Sequence, residues 1–251
     1  MCVALLGGGR VVAFRAWGGE PREDGTYAGR LSRSFDGGTT WTHETVPVAM
    51  PAGAKPYTHR SLVALPDGTL LCTYYSHRPG QWKAYCGLLR SPDGGQTWAH
   101  FADIADDPEA PLEGYDEPAM IRLANGDLLS LLRTGGPICQ TRSRDDGRTW
   151  GPPVEVGDHG VCPDLCLMQS GILVASYGRP NAGIMLSFDR TGERCEEAQD
   201  LYRGPGSSYT TIREVEPGLL AYYYGQSGFI GTGGPGPLNE IRVAHLRIQS
   251  R

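Results

Sequence analysis

A chain of 251 residues with 28 acidic and 23 basic side chains carries a formal net charge of −5. That balance gives no general attraction to nucleic acid or an anionic membrane, so any anion-binding function has to be local. The length suits one large all-β domain spanning residues 1–251, and no apolar run approaches the roughly 20 residues that a membrane-spanning helix needs.

In chain order, the first apolar run, Met1-Cys-Val-Ala-Leu-Leu, meets three glycines at once. It does not read as a secretion signal, and the chain as given is expected in the cytoplasm, any upstream leader lying outside it. Leu5 to Phe14 reads as a β-hairpin around those glycines, and the loop from Trp17 to Gly25 that follows is polar. Further hairpins run over Leu62 to Tyr74, Ala119 to Leu131, Leu165 to Ser176 and Tyr209 to Tyr224, the middle three of the five turning at Asp-Gly, Asn-Gly and Ser-Gly. No helical period competes with them. The 36 glycines and 19 prolines fall between these runs, as tight turns require.

Three octapeptides repeat between the hairpins: Ser34-Phe-Asp-Gly-Gly-Thr-Thr-Trp41, Ser91-Pro-Asp-Gly-Gly-Gln-Thr-Trp98 and Ser143-Arg-Asp-Asp-Gly-Arg-Thr-Trp150. A decayed fourth copy starts at Ser187-Phe-Asp189. In such a turn the carboxylate accepts backbone N–H bonds, glycine supplies a positive φ and tryptophan anchors the turn in the apolar layer. Asp36, Asp93 and Asp145 are therefore assigned to scaffolding. Repeats at this spacing predict a β-propeller with five visible blade-like units. The last unit offers only three strand-like runs, near 208–215, 219–224 and 240–248, so the ring as given is expected to be incomplete, and six-bladed if the chain is a truncated version.

Seven cysteines are an odd number, and Cys72, Cys86 and Cys139 sit in strand-like runs where thiols behave as small buried hydrophobes. A reducing compartment is expected. Cys162 and Cys166 lack a second pair, and His159 precedes a glycine turn, so no metal is expected, nor any cofactor.

Strand repeats closed by Ser-x-Asp-x-Gly-x-Thr-Trp turns resemble the Asp-box, or BNR-repeat, propellers of the sialidase superfamily. Three further segments match sialidases in the family's order. Glu117-Pro-Ala-Met-Ile-Arg-Leu-Ala-Asn-Gly-Asp-Leu-Leu-Ser-Leu-Leu-Arg133 is similar to the segment where a Glu opens a strand and an Arg closes the next. Arg179-Pro-Asn-Ala-Gly-Ile-Met-Leu-Ser187 is like the arginine placed before a late Asp-box, and Ser208-Tyr-Thr-Thr-Ile212 like the segment with the nucleophilic tyrosine.

The resemblance implies that Tyr209 attacks an anomeric carbon, Glu117 takes its proton, and Arg133 and Arg179 clamp the substrate carboxylate. A phenol suits such a substrate. A carboxylate nucleophile 4 Å from the sugar's own carboxylate would meet a repulsion of about 4 kcal/mol at an effective dielectric near 20, which a neutral phenol avoids. The family's first arginine has no counterpart in Val3-Ala-Leu-Leu6, for which Arg60 is the nearest substitute. The general acid falls in the loop Trp17 to Gly25, with Asp24 the first choice and Glu20 and Glu23 alternatives. His59, Arg60, Asp116 and Asp164 stand where inner strands begin, and Arg78 occupies the same relative place as Arg133 and Arg179, so all five are candidate substrate contacts. The implied activity is an exo-acting retaining hydrolase of terminal sialic acid or a similar acidic sugar, whose partner is a small molecule or glycan with a carboxylate. The alternatives are a non-catalytic carbohydrate-binding propeller and a protein-interaction propeller without a sugar site.

Overall fold

The computed structural model describes residues 1–110, 112–157, 160–179, 181–196, 198–203, 207–226 and 240–248, and contains only strands and turns among them. The strands form five consecutive blades. Blade one holds β1 (Cys2–Gly7), β2 (Arg10–Ala16), β3 (Tyr27–Ser34) and β4 (Thr42–Ala49). Blade two holds β5 (Tyr57–Ala64), β6 (Leu70–His77), β7 (Ala84–Ser91) and β8 (Trp98–Ala105). β9 (Asp116–Arg122), β10 (Leu128–Arg133), β11 (Ile138–Ser143) and β12 (Val154–Gly157) make blade three. β13 (Val161–Leu167), β14 (Leu173–Gly178), β15 (Ala182–Ser187) and β16 (Gln199–Tyr202) make blade four. The fifth has three described strands, β17 (Ser207–Glu216), β18 (Leu219–Gln226) and β19 (Glu240–Arg247). The protein is thus the all-β propeller that the repeats predict, with the expected hairpins as the first two strands of each blade.

Strands within a blade pair antiparallel, and the first strands, β1, β5, β9, β13 and β17, contact one another in that order. Blades one and two are also bridged by parallel pairs, Val3 with Ser61 at the inner strands and Val48 with Trp98 at the outer ones. Four apolar clusters fill the joints between successive blades. At the first joint, the Trp98 ring that closes an octapeptide in blade two stacks on Phe14 of blade one, centroids 4.1 Å apart.

Each octapeptide closes the turn between the third and fourth strands of its blade. Ser91 Oγ donates to Asp93 Oδ1 at 2.7 Å, Thr97 Oγ1 donates to Oδ2 at 2.6 Å, and Trp98 Nε1 donates to the Gly95 carbonyl at 3.0 Å. The same bonds recur at Asp36 and Asp145. The decayed copy keeps the Ser187–Asp189 bond and offers Asp189 three backbone N–H groups.

The first strands of blades two to five all break register near their start. Blades three, four and five share one form: Asp116 pairs with Arg133 and Ala119 with Leu131, Val161 with Gly178 and Asp164 with Ser176, Ser207 with Gln226 and Thr210 with Tyr224. In each, two residues of the first strand oppose one of the second, a β-bulge. Those pairs are Glu117-Pro118, Cys162-Pro163 and Ser208-Tyr209. Proline suits a bulge because it brings no N–H to leave unpaired. In blade two the break between Thr58 and Leu62 contains His59 and Arg60. Glu117, Cys162 and Arg60 take positive φ values of 44°, 50° and 54°, a conformation that costs a non-glycine residue about 1–3 kcal/mol and tends to gather at functional sites.

Candidate active site

The bulges bring together side chains from four blades. Glu117 is buried, and its Oε2 accepts the Cys162 N–H at 3.0 Å and lies 3.2 Å from Arg133 Nη1. The Tyr209 phenol lies close enough to the same carboxylate for each to shift the other. Arg179, just past β14, holds its guanidinium carbon 6.0 Å from the centre of the Tyr209 ring. So the tyrosine, glutamate and two arginines that the resemblance singled out meet at one place.

Their electrostatics follow from that contact. Burial first, and then the charge of Glu117, pushes the Tyr209 phenol up to about 12, Arg179 opposing. For Glu117, burial is the largest influence and favours the neutral acid, but Arg133 and His59 together with hydrogen bonds from Arg133 and Tyr209 outweigh it and hold the carboxyl below its ordinary range. Arg133 is itself occupied: Nε lies 2.6 Å from Oε1 of Glu113, and Nη2 donates to Oε2 at 3.2 Å. It serves as the immediate partner of Glu117.

Beside Tyr209, which is 54% exposed, opens a cavity of 430 Å³. Its lining includes Arg15, Trp17, His59, Arg60, Tyr209 and Arg213, and among the described residues no acidic side chain. Arg60 and Arg213 are fixed from below by Asp164, itself buried. Arg213 Nη1 donates to Asp164 Oδ2 at 2.7 Å, Arg60 Nη1 lies 3.7 Å from the same oxygen, and Thr211 Oγ1 donates to it as well. Arg60 Nη2 also donates to the Cys162 carbonyl at 3.1 Å. A volume of this size fits a monosaccharide-sized ligand, and three guanidinium groups around it suit an anion. A larger cavity of 530 Å³ lies by the outer strands at Arg142 and Trp150, away from this cluster of titratable groups.

His59 lines the cavity, and Asp116 adjoins Glu117 in β9. Burial, and then the neighbouring Arg60, lowers the His59 imidazole to about 4. Asp116 accepts the Glu117 N–H at 2.6 Å, and burial followed by the Glu117 charge pushes its carboxyl up to about 6.

Two expected residues sit elsewhere. Arg78 is claimed by its own blade, 2.6 Å from Asp106 and packed over Tyr85 at 4.0 Å, because the acidic residues of and after β8 lie across the sheet from it. Asp24 is exposed, and its Oδ1 accepts Thr26 N–H at 2.9 Å and Thr26 Oγ1 at 2.7 Å. Those bonds lower its carboxyl, the opposite of what a general acid requires. Glu20 is exposed too and pairs with Lys55 at 3.1 Å. Arg213, Arg15 and Glu113 were not anticipated. For Arg213 a signal existed: Tyr209, Thr211 and Arg213 alternate along one strand and so share a face.

The profile of the BNR repeat-like domain matches residues 2–221. The protein belongs to the BNR repeat-like domain family. No curated protein matches it in sequence. In fold, this BNR repeat-like protein is similar to a protein of unknown function from Dyadobacter fermentans (22% identity, 99% of this chain and 76% of that one, TM-score 0.76). It is also similar to the intramolecular trans-sialidase of Ruminococcus gnavus (20%, 89% and 51%, 0.63) and to an alpha-L-arabinanase of Penicillium chrysogenum (19%, 89% and 76%, 0.68). The chain thus spans about half of the trans-sialidase, and at these identities the likeness is one of fold.

Proposed function

We propose that this protein is a retaining exo-glycosidase of sialidase type that releases a terminal sialic acid or similar acidic sugar. The observation that carries the reading is the Tyr209 phenol beside the Glu117 carboxylate at the edge of an arginine-lined cavity. Arg60, Arg213 and Arg15 would receive the sugar's carboxylate, and Tyr209 Oη would form a bond to the anomeric carbon as the bond to the aglycone oxygen breaks. The phenol's proton passes to Glu117; water later displaces the tyrosyl oxygen and gives its own proton to the carboxylate that had protonated the aglycone, while the tyrosyl oxygen recovers its proton from Glu117.

With the phenol near 12 and the carboxyl below its ordinary range, transfer of the proton ahead of attack is uphill by many powers of ten. The transfer is therefore concerted with bond formation, as the phenol's acidity rises on gaining the sugar. For the aglycone's proton, Asp116, next to Glu117 in the chain and with its carboxyl pushed up to about 6, is better suited in acidity than the exposed Asp24. The test is fluorophore release from an aryl sialoside. The wild type is expected to turn over and Tyr209→Phe to lose at least about 10³-fold in kcat, a loss of about 4 kcal/mol of transition-state stabilisation. A fully active Tyr209→Phe protein would end the proposal.

The exposure of Asp24 favours a second reading, in which the cavity binds the free acid without cleaving it. It predicts saturable binding, no turnover by the wild type, and weaker binding by Arg213→Ala.

A further inference from the structure

His59, Cys162 and Glu117 come from the first strands of blades two, four and three, and one donor atom from each lies within 4.8 Å of the others. The glycosidase reading uses only the glutamate. Sγ of Cys162 and Nε2 of His59 are 3.4 Å apart. Bonds of about 2.3 Å to sulfur and about 2.0 Å to nitrogen in a tetrahedral site set these two donors about 3.5 Å apart, so the pair is already at coordination distance.

The imidazole is also turned the right way. Its Nδ1 lies 3.3 Å from the Pro118 carbonyl, which can only accept, so that nitrogen carries the hydrogen and Nε2 presents its lone pair to the thiol. A backbone carbonyl on the far nitrogen is the arrangement that orients metal-bound imidazoles. Glu117 Oε2 takes two N–H donors, and a carboxylate with about four acceptor sites has capacity left for a cation. Cys162 and Glu117 are both held at positive φ by their bulges, so the backbone fixes two of the three donors in advance.

We propose that His59, Cys162 and Glu117 form a site for a thiophilic divalent cation of the zinc class, its fourth position open to the cavity that Tyr209 lines. One imidazole nitrogen, one thiolate and one carboxylate leaving a position vacant is a donor set that suits zinc and disfavours magnesium or calcium. Arg60 and Arg133 flank the site, so a hard cation drawn by charge alone is repelled and a thiolate is needed to hold the metal. On binding, the S–H bond of Cys162 breaks, a coordinate bond from sulfur to the metal forms, and the proton leaves to solvent. A cation on Glu117 makes that carboxylate a weaker base, so occupancy opposes the transfer of the Tyr209 proton to it.

Cobalt(II) added to the intact protein tests this without any assay of turnover, so it fails independently of the glycosidase reading. One equivalent is expected to give a thiolate-to-cobalt charge-transfer band that zinc displaces. Tyr209→Phe is expected to keep the band. Cys162→Ser is expected to abolish it, and His59→Gln to weaken cobalt affinity by more than about tenfold; the second variant decides the matter if the first does not fold. Absence of the band in the wild type, its persistence in folded Cys162→Ser, or unchanged affinity in His59→Gln would each overturn the proposal.

Discussion

At the scale of single residues, Asp116 and Asp24 separate two ways of supplying a proton. Asp116 is raised to about 6 by burial and the adjacent Glu117 charge, whereas Asp24 is lowered by Thr26. If Asp116 is the acid, kcat/KM falls as pH rises through about 6, Asp116→Asn removes that limb together with about 10²–10⁴ of the rate, and Asp24→Asn leaves both in place. The same residue has a stability signature. A carboxyl whose folded pKa lies above its unfolded one contributes stability below the unfolded value of 3.8 and loses it as pH rises through about 6. Asp116→Asn is therefore expected to raise Tm at pH 7 relative to the wild type, and to give no such gain at pH 4. Melting curves at the two pH values check the sign. Sequence alone placed Asp116 at the start of an inner strand and preferred Asp24 for the acid, because family order marks a loop and burial cannot be read from it.

Elements are where the sequence was most legible, since hairpins and Asp-box turns are specified by residues adjacent in the chain. The Ser, Asp, Thr and Trp of each octapeptide bond within their own turn. The bulges were not legible: a register shift exists only between two strands, and Glu117-Pro118 or Cys162-Pro163 looks like ordinary strand until its partner is known. Less visible still was a pairing that recurs in three blades, where a glycine of the third strand lies under an aromatic ring of the second. A Cβ on Gly87 would stand 2.4 Å from the Tyr74 ring, one on Gly29 2.7 Å from Phe14, and one on Gly183 2.7 Å from Cζ of Tyr177. Tyr74 is fully buried and cannot yield. Gly87→Ala is expected to destabilise the protein by about 1–3 kcal/mol. Gly151→Ala, whose Cβ would meet only the Arg142 carbonyl at 3.7 Å, is expected to change stability by less than about 0.5 kcal/mol. Denaturant titration of the two variants measures the contrast.

Across the whole molecule, a net charge of −5 surrounds a cavity that gathers Arg15, Arg60 and Arg213. The convergence joins residues from blades one, two and five, and composition gave no sign of it beyond requiring that any anion site be local. Asp164 of blade four ties two of these arginines together, so it offers a way to separate net field from geometry. By field alone, Asp164→Asn removes a negative charge beside a bound anion and tightens binding. By geometry, it releases Arg213 and Arg60 from the group that aims them, and each then loses rotamer freedom on meeting the ligand, a cost of about 0.5–1.5 kcal/mol per side chain. It also takes from Arg213 its short ion pair and from Thr211 its acceptor. The second effect is expected to win, because the field of one charge is already offset by the two guanidinium groups that face it, whereas two side chains lose their direction together. The dissociation constant of the free acidic sugar, measured by calorimetry in a Tyr209→Phe background, is expected to rise about tenfold in Asp164→Asn, and tighter binding would mean that the cavity recognises charge without relying on the placement of its arginines.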